Sequence, residues 1–332
     1  MSYPKWIDKL PSEHKPMPIL SFPSAPLMGV SVYALTHDAN IQANGIVRVA
    51  QETNAAAAVT MMDLSLEAEA FGCTLHTSEN EVPTVFGALV TDEDEADELE
   101  IPQVGDARTG LYIEAAKKAK SRITDRPVLA GVIGPFSLAG RLMDVTEALA
   151  NCICDPDFVH AVMRKATPFL IEYAKAYKAA GLDGIVMAEP LSGLLSPALE
   201  EEFSAPYCKE LIDAVQDESF AVIYHNCGPN TPKMTDSLSS LGASAYHFGD
   251  AVQLEEILDK MPADRVVMGN ISPSKQFLGG TPDSMAQAVK ELLEKCAGHK
   301  NFLLSSGCDI PPKSSWDNIR AFFRASEEFY AE

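Results

Sequence analysis

The chain has 332 residues, of which 46% are hydrophobic and 22% are charged, a balance typical of globular proteins with a large buried core rather than of disordered chains. Its formal net charge of −21 repels phosphate backbones and anionic lipid surfaces, which argues against a nucleic acid or a membrane as partner. No run approaches the roughly 20 apolar residues that span a bilayer.

The cysteine count and the start of the chain indicate the compartment. Seven cysteines are an odd number in a chain too long to need disulfides for stability, so we expect reduced thiols, most of them buried. Residues 1–15 are polar and contain prolines, unlike the basic and apolar regions of a secretory leader. We therefore expect a cytoplasmic protein.

Strand-like apolar runs alternate with amphipathic helical stretches along the whole chain. Strands are predicted at residues 18–22, 58–63, 127–133, 184–188, 220–225, 243–248, 265–268 and 302–305. Helices are predicted at residues 38–54, 104–123, 137–154, 155–180, 199–216, 231–240, 251–260, 282–295 and 315–330, with a short helical piece that ends at residue 71. Residues 73–90 are predicted to be irregular or a hairpin.

This alternation predicts an α/β fold with a parallel sheet and helical crossovers. Eight strand–helix pairs close most naturally into a (β/α)₈ TIM barrel, so we predict a single barrel domain over residues 1–332. A doubly wound sheet is the alternative, but no Gly-x-Gly-x-x-Gly follows the first predicted strand. The acidic run at residues 92–98 is expected to be a solvated surface, with a docking surface for a basic partner as the alternative.

Side chains of metal-ligand type follow two of the predicted strands. His225 and Cys227 are two residues apart, so in an extended chain both point the same way and can reach one ion. Cys308 follows the eighth predicted strand. Because the carboxyl ends of all barrel strands meet at one mouth, we expect the three side chains to converge. One imidazole and two thiolates indicate zinc, and three protein ligands leave a position for substrate, as in catalytic zinc sites.

Three further polar residues near predicted strand ends are candidates to complete this site. Glu189 is a candidate catalytic residue, as a weak fourth ligand or as an acid or base near the metal, although a carboxylate at this place can also cap a helix. Asp250 is the second catalytic candidate. His247 is considered for the same position, but a hydrogen-bonded histidine of the core or rim is the favoured interpretation.

Several motifs give the chain a resemblance to a known family. They are residues 134–139 (GPFSLA), 188–190 (AEP), 225–228 (HNCG), 267–273 (VMGNISP) and 307–312 (GCDIPP). On these motifs the chain resembles the uroporphyrinogen decarboxylase superfamily, and within it the branch of zinc-dependent methylcobamide:thiol methyltransferases of the coenzyme M type. The resemblance covers almost the whole chain and implies the same barrel fold.

The resemblance also implies a chemistry. The signature of that branch, a His-x-Cys pair with a distant Cys, maps onto His225, Cys227 and Cys308 as Zn²⁺ ligands. The implied activity is transfer of a methyl group from a methylated corrinoid (a methylcobamide), usually carried by a separate corrinoid protein, to a small acceptor. A thiol activated as a zinc thiolate is the expected acceptor; the sequence leaves open coenzyme M, homocysteine, tetrahydrofolate or another molecule.

Two departures distinguish the chain from true decarboxylases. Their arginine-rich segment near the N-terminus, which binds substrate carboxylates, has no counterpart in residues 18–26, where there is no arginine. Cys308 stands where decarboxylases tend to have a histidine. A metal-free decarboxylase acting on uroporphyrinogen is therefore the alternative function, and a non-catalytic protein that binds corrinoid proteins is a third.

Overall fold

The fold is a parallel sheet that curls around a packed interior, as seen in a computed structural model that describes residues 2–331. The strands are β1 (Ala58–Val59), β2 (Thr74–His76), β3 (Thr84–Phe86), β4 (Val128–Ile133), β5 (Gly184–Ala188), β6 (Ala221–Asn226), β7 (Ala245–Phe248), β8 (Val266–Ile271) and β9 (Phe302–Ser306). Residues 73–90 are predicted from the sequence to be irregular or a hairpin. Strands β2 and β3 pair as an antiparallel hairpin, which confirms the second alternative. The other seven form the sheet in the order β1-β4-β5-β6-β7-β8-β9, and every pairing is parallel.

Helices follow the strands and cover the outside of this sheet. They are α1 (Leu10–Glu13), α2 (Ser24–Met28), α3 (Val32–His37), α4 (Ala39–Glu52), α5 (Leu66–Phe71), α6 (Glu93–Glu98), α7 (Thr109–Lys120), α8 (Pro135–Met143), α9 (Val145–Cys154), α10 (Pro156–Ala179), α11 (Pro197–Phe203), α12 (Ala205–Val215), α13 (Thr235–Ser240), α14 (Leu254–Leu258), α15 (Pro282–Cys296) and α16 (Trp316–Ala331). Short 3₁₀ helices lie at Ile7–Lys9, Ser192–Leu194 and Thr231–Lys233, and one π-helical turn lies at Pro273–Leu278. No helix within residues 2–331 combines the length and the apolar character needed to cross a bilayer.

The barrel is confirmed, but its first predicted strand is not a regular strand. Residues 16–19 run extended between the two edge strands: the Pro16 carbonyl accepts from Ala56 N at 2.9 Å, and Met17 N donates to the Leu304 carbonyl at 2.9 Å. Pro16 and Pro18 have no N–H group, so a continuous ladder cannot form here. This closing segment, defined as residues 16–19, therefore fills the place of the eighth strand with only isolated hydrogen bonds.

Two predicted helices are divided in the structure. The stretch 137–154 breaks at Asp144, which has a positive φ of 77° and whose carboxylate accepts from Thr146 N at 2.8 Å to cap α9. The stretch 199–216 divides at Ser204 into α11 and α12. The acidic run forms α6, with Asp92 capping it through Glu95 N at 2.9 Å.

The interior of the barrel is filled by side chains that alternate along each strand. Val59, Leu129, Val186, Ile223 and Leu303 belong to the inner cluster, whereas their strand neighbours pack outward against the helices. Because alternate residues of a strand share a face, the side chains two positions after Ile223 and Leu303 also point inward, one layer nearer the mouth. That layer carries the polar residues described below.

One carboxylate in α5 is buried without a full set of partners. Glu67 is 1% exposed; its Oε1 accepts from Ile133 N at 3.0 Å, and its Oε2 has no hydrogen-bond partner among residues 2–331. Burial raises the pKa of Glu67 to about 8, so the folded protein holds a proton here that the unfolded chain has released at neutral pH.

We predict that Glu67→Gln changes the pH dependence of stability. The raised pKa makes the free energy of unfolding of the wild type fall as pH rises from about 4.5 to about 8, because only the unfolded state releases this proton. Glutamine keeps the acceptor for Ile133 N without a titrating proton, so the variant should gain about 2–4 kcal/mol relative to the wild type between pH 5 and pH 8. Urea denaturation at both pH values measures this difference. The exposed Glu98→Gln is the control, and an equal effect of both substitutions would contradict the prediction.

Candidate metal centre

The three predicted metal ligands converge at the carboxyl ends of β6 and β9. The candidate ligand atoms of His225, Cys227 and Cys308 all lie within 4.8 Å of one another, and Cys308 Sγ is 3.4 Å from His225 Nε2. His225 is 1% exposed, while Cys227 and Cys308 are partly exposed towards the mouth. The spacing predicted from the sequence is therefore realised, with the imidazole deepest and both sulfurs nearer solvent.

Asn226 fixes the turn that places Cys227. Its Nδ2 donates to Ser192 Oγ at 2.9 Å and to Tyr224 Oη at 3.0 Å, and its Oδ1 accepts from Gly228 N at 2.9 Å. Asn226 is fully buried, so all three bonds form away from water. While His225 and Cys227 turn to the site, the residue between them anchors the chain.

The turn also needs a close approach between backbones. A Cβ added to Gly249, after β7, would lie 2.4 Å from Cys227 Cβ, which is too short for non-bonded carbon atoms. A Cβ on Gly228 would lie 2.4 Å from Gly193 Cα. Glycine at these positions lets the loop after β6 pack directly against its neighbours and sets the position of the Cys227 sulfur.

A chain of hydrogen bonds runs from His225 into the barrel. His225 Nδ1 lies 2.8 Å from His247 Nδ1, His247 Nε2 lies 2.8 Å from Ser305 Oγ, and Ser305 Oγ donates to the Met17 carbonyl at 2.7 Å. The favoured interpretation of His247, a hydrogen-bonded histidine, is thus confirmed. His225 and His247 are also direct register partners in β6 and β7.

The direction of this chain fixes the proton on each ring. The Met17 carbonyl can only accept, so the single hydroxyl proton of Ser305 goes to it, and Ser305 must accept from His247 Nε2–H. His247 Nδ1 is then bare and accepts from His225 Nδ1–H. The lone pair of His225 is left on Nε2, the atom that faces Cys308. His225 is therefore held in the tautomer that a metal ligand needs.

The two thiols shift each other's pKa in opposite directions. Interaction with Cys308 lowers the pKa of Cys227, whereas interaction with Cys227 together with burial raises the pKa of Cys308 to about 12. The proton of Cys227 is therefore lost more easily than that of Cys308. A divalent cation that binds both sulfurs must displace that second proton, so metal binding is coupled to proton release.

Glu189 lies outside this cluster of ligand atoms. Its carboxylate accepts from Phe136 N at 2.9 Å and Ser137 N at 2.6 Å, and also from the Ser137 hydroxyl. Cys208 Sγ donates to it at 3.6 Å. Burial raises the pKa of Glu189 to about 7. Glu189 therefore accepts hydrogen bonds from the N-terminus of α8. This arrangement matches the helix-capping alternative predicted from the sequence.

Asp250 lies at the rim of the site. It is exposed after β7, and its Oδ1 would be 2.9 Å from a Cβ placed on Gly307, the residue before Cys308. The pKa of Cys227 is lowered mainly by Cys308, and the charge of Asp250 opposes this lowering as the smallest of several influences. Like Glu189, it is not among the residues whose ligand atoms converge.

A cavity of about 240 Å³ adjoins Cys227 between α8 and the loop after β6. Its walls are mainly apolar, and Arg141 is the cationic side chain that lines it. Sequence reasoning missed Arg141, although it is the one charged residue in the α8 sequence PFSLAGRLM. Sequence reasoning also missed Ser305. The Tyr-His pairs at 224–225 in β6 and 246–247 in β7 indicate a polar layer at the same level of the barrel, to which Ser305 belongs.

Comparison with known proteins agrees with this architecture. Residues 17–329 match the sequence profile of the uroporphyrinogen decarboxylase (URO-D) family. The chain is 26% identical over 271 residues to the methylcobamide:CoM methyltransferase MtbA of Methanosarcina acetivorans, covering 80% of this chain and 78% of that protein. It is 24% identical over 240 residues to the chloroplastic uroporphyrinogen decarboxylase 2 of Arabidopsis thaliana, covering 70% of this chain and 58% of that protein.

A solved structure shares the fold over nearly its full length. A methyltransferase from Methanosarcina mazei superposes with a TM-score of 0.84 at 22% sequence identity, covering 95% of this chain and 94% of that one. The match extends over the barrel and its helices. The profile match over residues 17–329 establishes that this chain belongs to the uroporphyrinogen decarboxylase family.

Proposed function

We propose that this protein transfers a methyl group from a methylated corrinoid to a small thiol, with zinc held by His225, Cys227 and Cys308. The observation that carries the proposal is the convergence of one imidazole nitrogen and two sulfurs within 4.8 Å at the barrel mouth. The relatives named as methylcobamide:CoM methyltransferases support the reaction class.

The donor set fits zinc. Nitrogen and sulfur ligands in this combination are typical of Zn²⁺, and three protein ligands leave one position for substrate. If zinc were held there, it would supply the lowering of the pKa of an acceptor thiol, which favours the more nucleophilic thiolate. The ligand set is preorganised before metal binding, because His247 and Ser305 keep the lone pair of His225 on Nε2.

The size of the cavity indicates which of the two substrates, the acceptor or the corrinoid, can bind inside it. About 240 Å³ beside Cys227 is below the range of pockets for drug-sized ligands, so the cavity suits a small acceptor and not a corrinoid ring. The corrinoid is then presented from outside the mouth, which supports a separate corrinoid protein as its carrier. Within the site, the chain holds the acceptor sulfur beside Cys227 while apolar walls exclude water from it.

Decarboxylation of uroporphyrinogen is the second candidate, because decarboxylases are also among the relatives. A substrate with many carboxylates needs several free cations. Arg108, the buried arginine near the mouth, is already bound to Asp63 at 2.8 Å and to Glu69 at 2.6 Å. This shortage of free cations favours the methyltransferase.

The direct test is methyl transfer from free methylcobalamin to each of a panel of small thiols. The reaction is monitored by the loss of the absorbance of methylcobalamin. We expect thiol-dependent demethylation that disappears when zinc is removed by a chelator and returns when zinc is restored. Uroporphyrinogen is the comparison substrate. Decarboxylation of that compound, with no thiol methylated, would reverse the assignment.

We predict that Cys308→Ser lowers zinc content strongly, because a weaker oxygen ligand replaces one of three anchoring groups. Metal analysis after dialysis against a zinc buffer should find about one zinc per chain in the wild type and much less in the variant. Cys154→Ser is the matched control, since Cys154 is an exposed cysteine of α9. Equal zinc content in all three proteins would argue against the site.

We also predict a graded effect of substitutions at His247. His247→Phe removes the acceptor for His225 Nδ1–H, so zinc affinity should fall roughly 10- to 100-fold, the usual effect of losing an outer hydrogen-bond partner. His247→Gln supplies both an acceptor and a donor and should recover part of that loss. Competition with a chromogenic chelator measures the affinity. If both variants bind zinc as the wild type does, the tautomer of His225 does not depend on His247.

A further inference from the structure

Gly140 is a buried residue inside helix α8. Glycine in a helix interior destabilises the helix relative to alanine, because it loses more backbone freedom on folding. Gly140 does not have the positive φ that favours glycine over other residues. The reason for glycine here is therefore a close contact with a neighbour and not the backbone conformation.

That neighbour is Leu191, which follows β5. A Cβ added to Gly140 would lie 2.3 Å from Leu191 Cδ2, too short for non-bonded carbon atoms, whereas Ala148 Cβ in α9 would be 3.9 Å away. The absence of a side chain at Gly140 thus leaves the space that the end of the Leu191 side chain occupies. Leu191 is 7% exposed and lines the cavity of about 240 Å³ beside Cys227.

The backbone around Leu191 is held in place by contacts on both sides. Leu191 N donates to Ser137 Oγ at 3.1 Å. At the next residue, Ser192 Oγ accepts from Asn226 Nδ2 at 2.9 Å. Gly193 then packs so closely against Asn226 that it has no room for a side chain. The backbone of this segment therefore cannot shift to relieve a clash at the Leu191 side chain.

A methyl group added at position 140 must displace the side chain of Leu191. Because the backbone of Leu191 is fixed, the side chain has to turn away from α8. The unfilled space beside it is the cavity, since the protein interior is otherwise closely packed. Gly140 and Leu191 together thus set how much room remains next to Cys227.

We propose that the Gly140–Leu191 contact sets the size limit for the methyl acceptor, with Leu191 as the residue that excludes bulky carbon chains. This inference rests on the proposed function for the identity of the acceptor, but the size limit itself needs no corrinoid. Leu191 touches the acceptor as a wall of the cavity, whereas Gly140 is a positioning residue that acts through Leu191. The thiols accepted are then those with a slender carbon chain.

The size limit is tested first by binding, with no corrinoid present. Isothermal titration calorimetry of the full-length protein measures the affinities for 1-propanethiol and for the bulkier 2-phenylethanethiol. Leu191→Ala enlarges the cavity, so we expect the affinity ratio to shift roughly tenfold in favour of 2-phenylethanethiol, the gain from burying about two more CH₂ groups. Gly140→Ala should shift the ratio in favour of 1-propanethiol, because Leu191 is pushed into the cavity.

The double variant Gly140→Ala/Leu191→Ala separates this role from a general effect on α8. Once Leu191 is truncated, the added methyl group has nothing to displace, so the double variant should match Leu191→Ala. Gly45→Ala is the matched control, since Gly45 is a buried glycine of α4 that does not line the cavity, and a Cβ there would lie 2.8 Å from Ser24 Oγ. Its affinity ratio should equal that of the wild type. Circular dichroism checks folding, and Leu191→Ala against the wild type decides the question if Gly140→Ala does not fold.

Methyl transfer from methylcobalamin to the same two thiols separates the two proposals. The ratio of the kcat/KM values should shift as the affinity ratio does. A shift in the affinity ratio without methyl transfer to either thiol would leave the size limit standing and overturn the methyltransferase assignment. Methyl transfer with one ratio in the wild type, Leu191→Ala and Gly140→Ala would overturn the size limit and leave the methyltransferase. An affinity ratio that Leu191→Ala leaves unchanged, or no binding of either thiol, also overturns the size limit.

Discussion

Closure of the barrel is the constraint on which the candidate metal centre depends. His225 lies near the end of β6 and Cys308 follows β9, three strands away in the sheet order. In a flat sheet with a strand spacing of about 4.8 Å they would be roughly 14 Å apart. In the closed barrel, Cys308 Sγ and His225 Nε2 are 3.4 Å apart. Curvature therefore makes a site from residues that neither sequence neighbourhood nor strand pairing brings together.

The same closure also sets the chemistry of the ligands. The Met17 carbonyl belongs to the closing segment, and the hydrogen bonds from it through Ser305 and His247 decide which nitrogen of His225 is free. The mouth thus has a polar layer directly above an apolar interior. Outside that layer, Arg108 is paired with Asp63 and Glu69, and Glu189 accepts hydrogen bonds at the start of α8.

The sequence was sufficient for the alternation of strands and helices and for the convergence of the three candidate ligands, because strand ends in a barrel share one mouth. It was not sufficient where tertiary contacts decide. The apolar run at 18–22 has the composition of a strand, but the prolines at 16 and 18 prevent a ladder. Glu189 follows a strand, but only the structure shows that its carboxylate bonds to the start of α8. Nor can a sequence tell that Asp63 pairs with Arg108.

X-ray absorption spectroscopy at the zinc edge, on the zinc-loaded protein, tests the central claim most directly. We expect zinc coordinated by two sulfurs, one imidazole nitrogen and one lighter atom, and by a third sulfur when an acceptor thiol is added. A shell of oxygen and nitrogen alone, or one that an added thiol does not change, would contradict it.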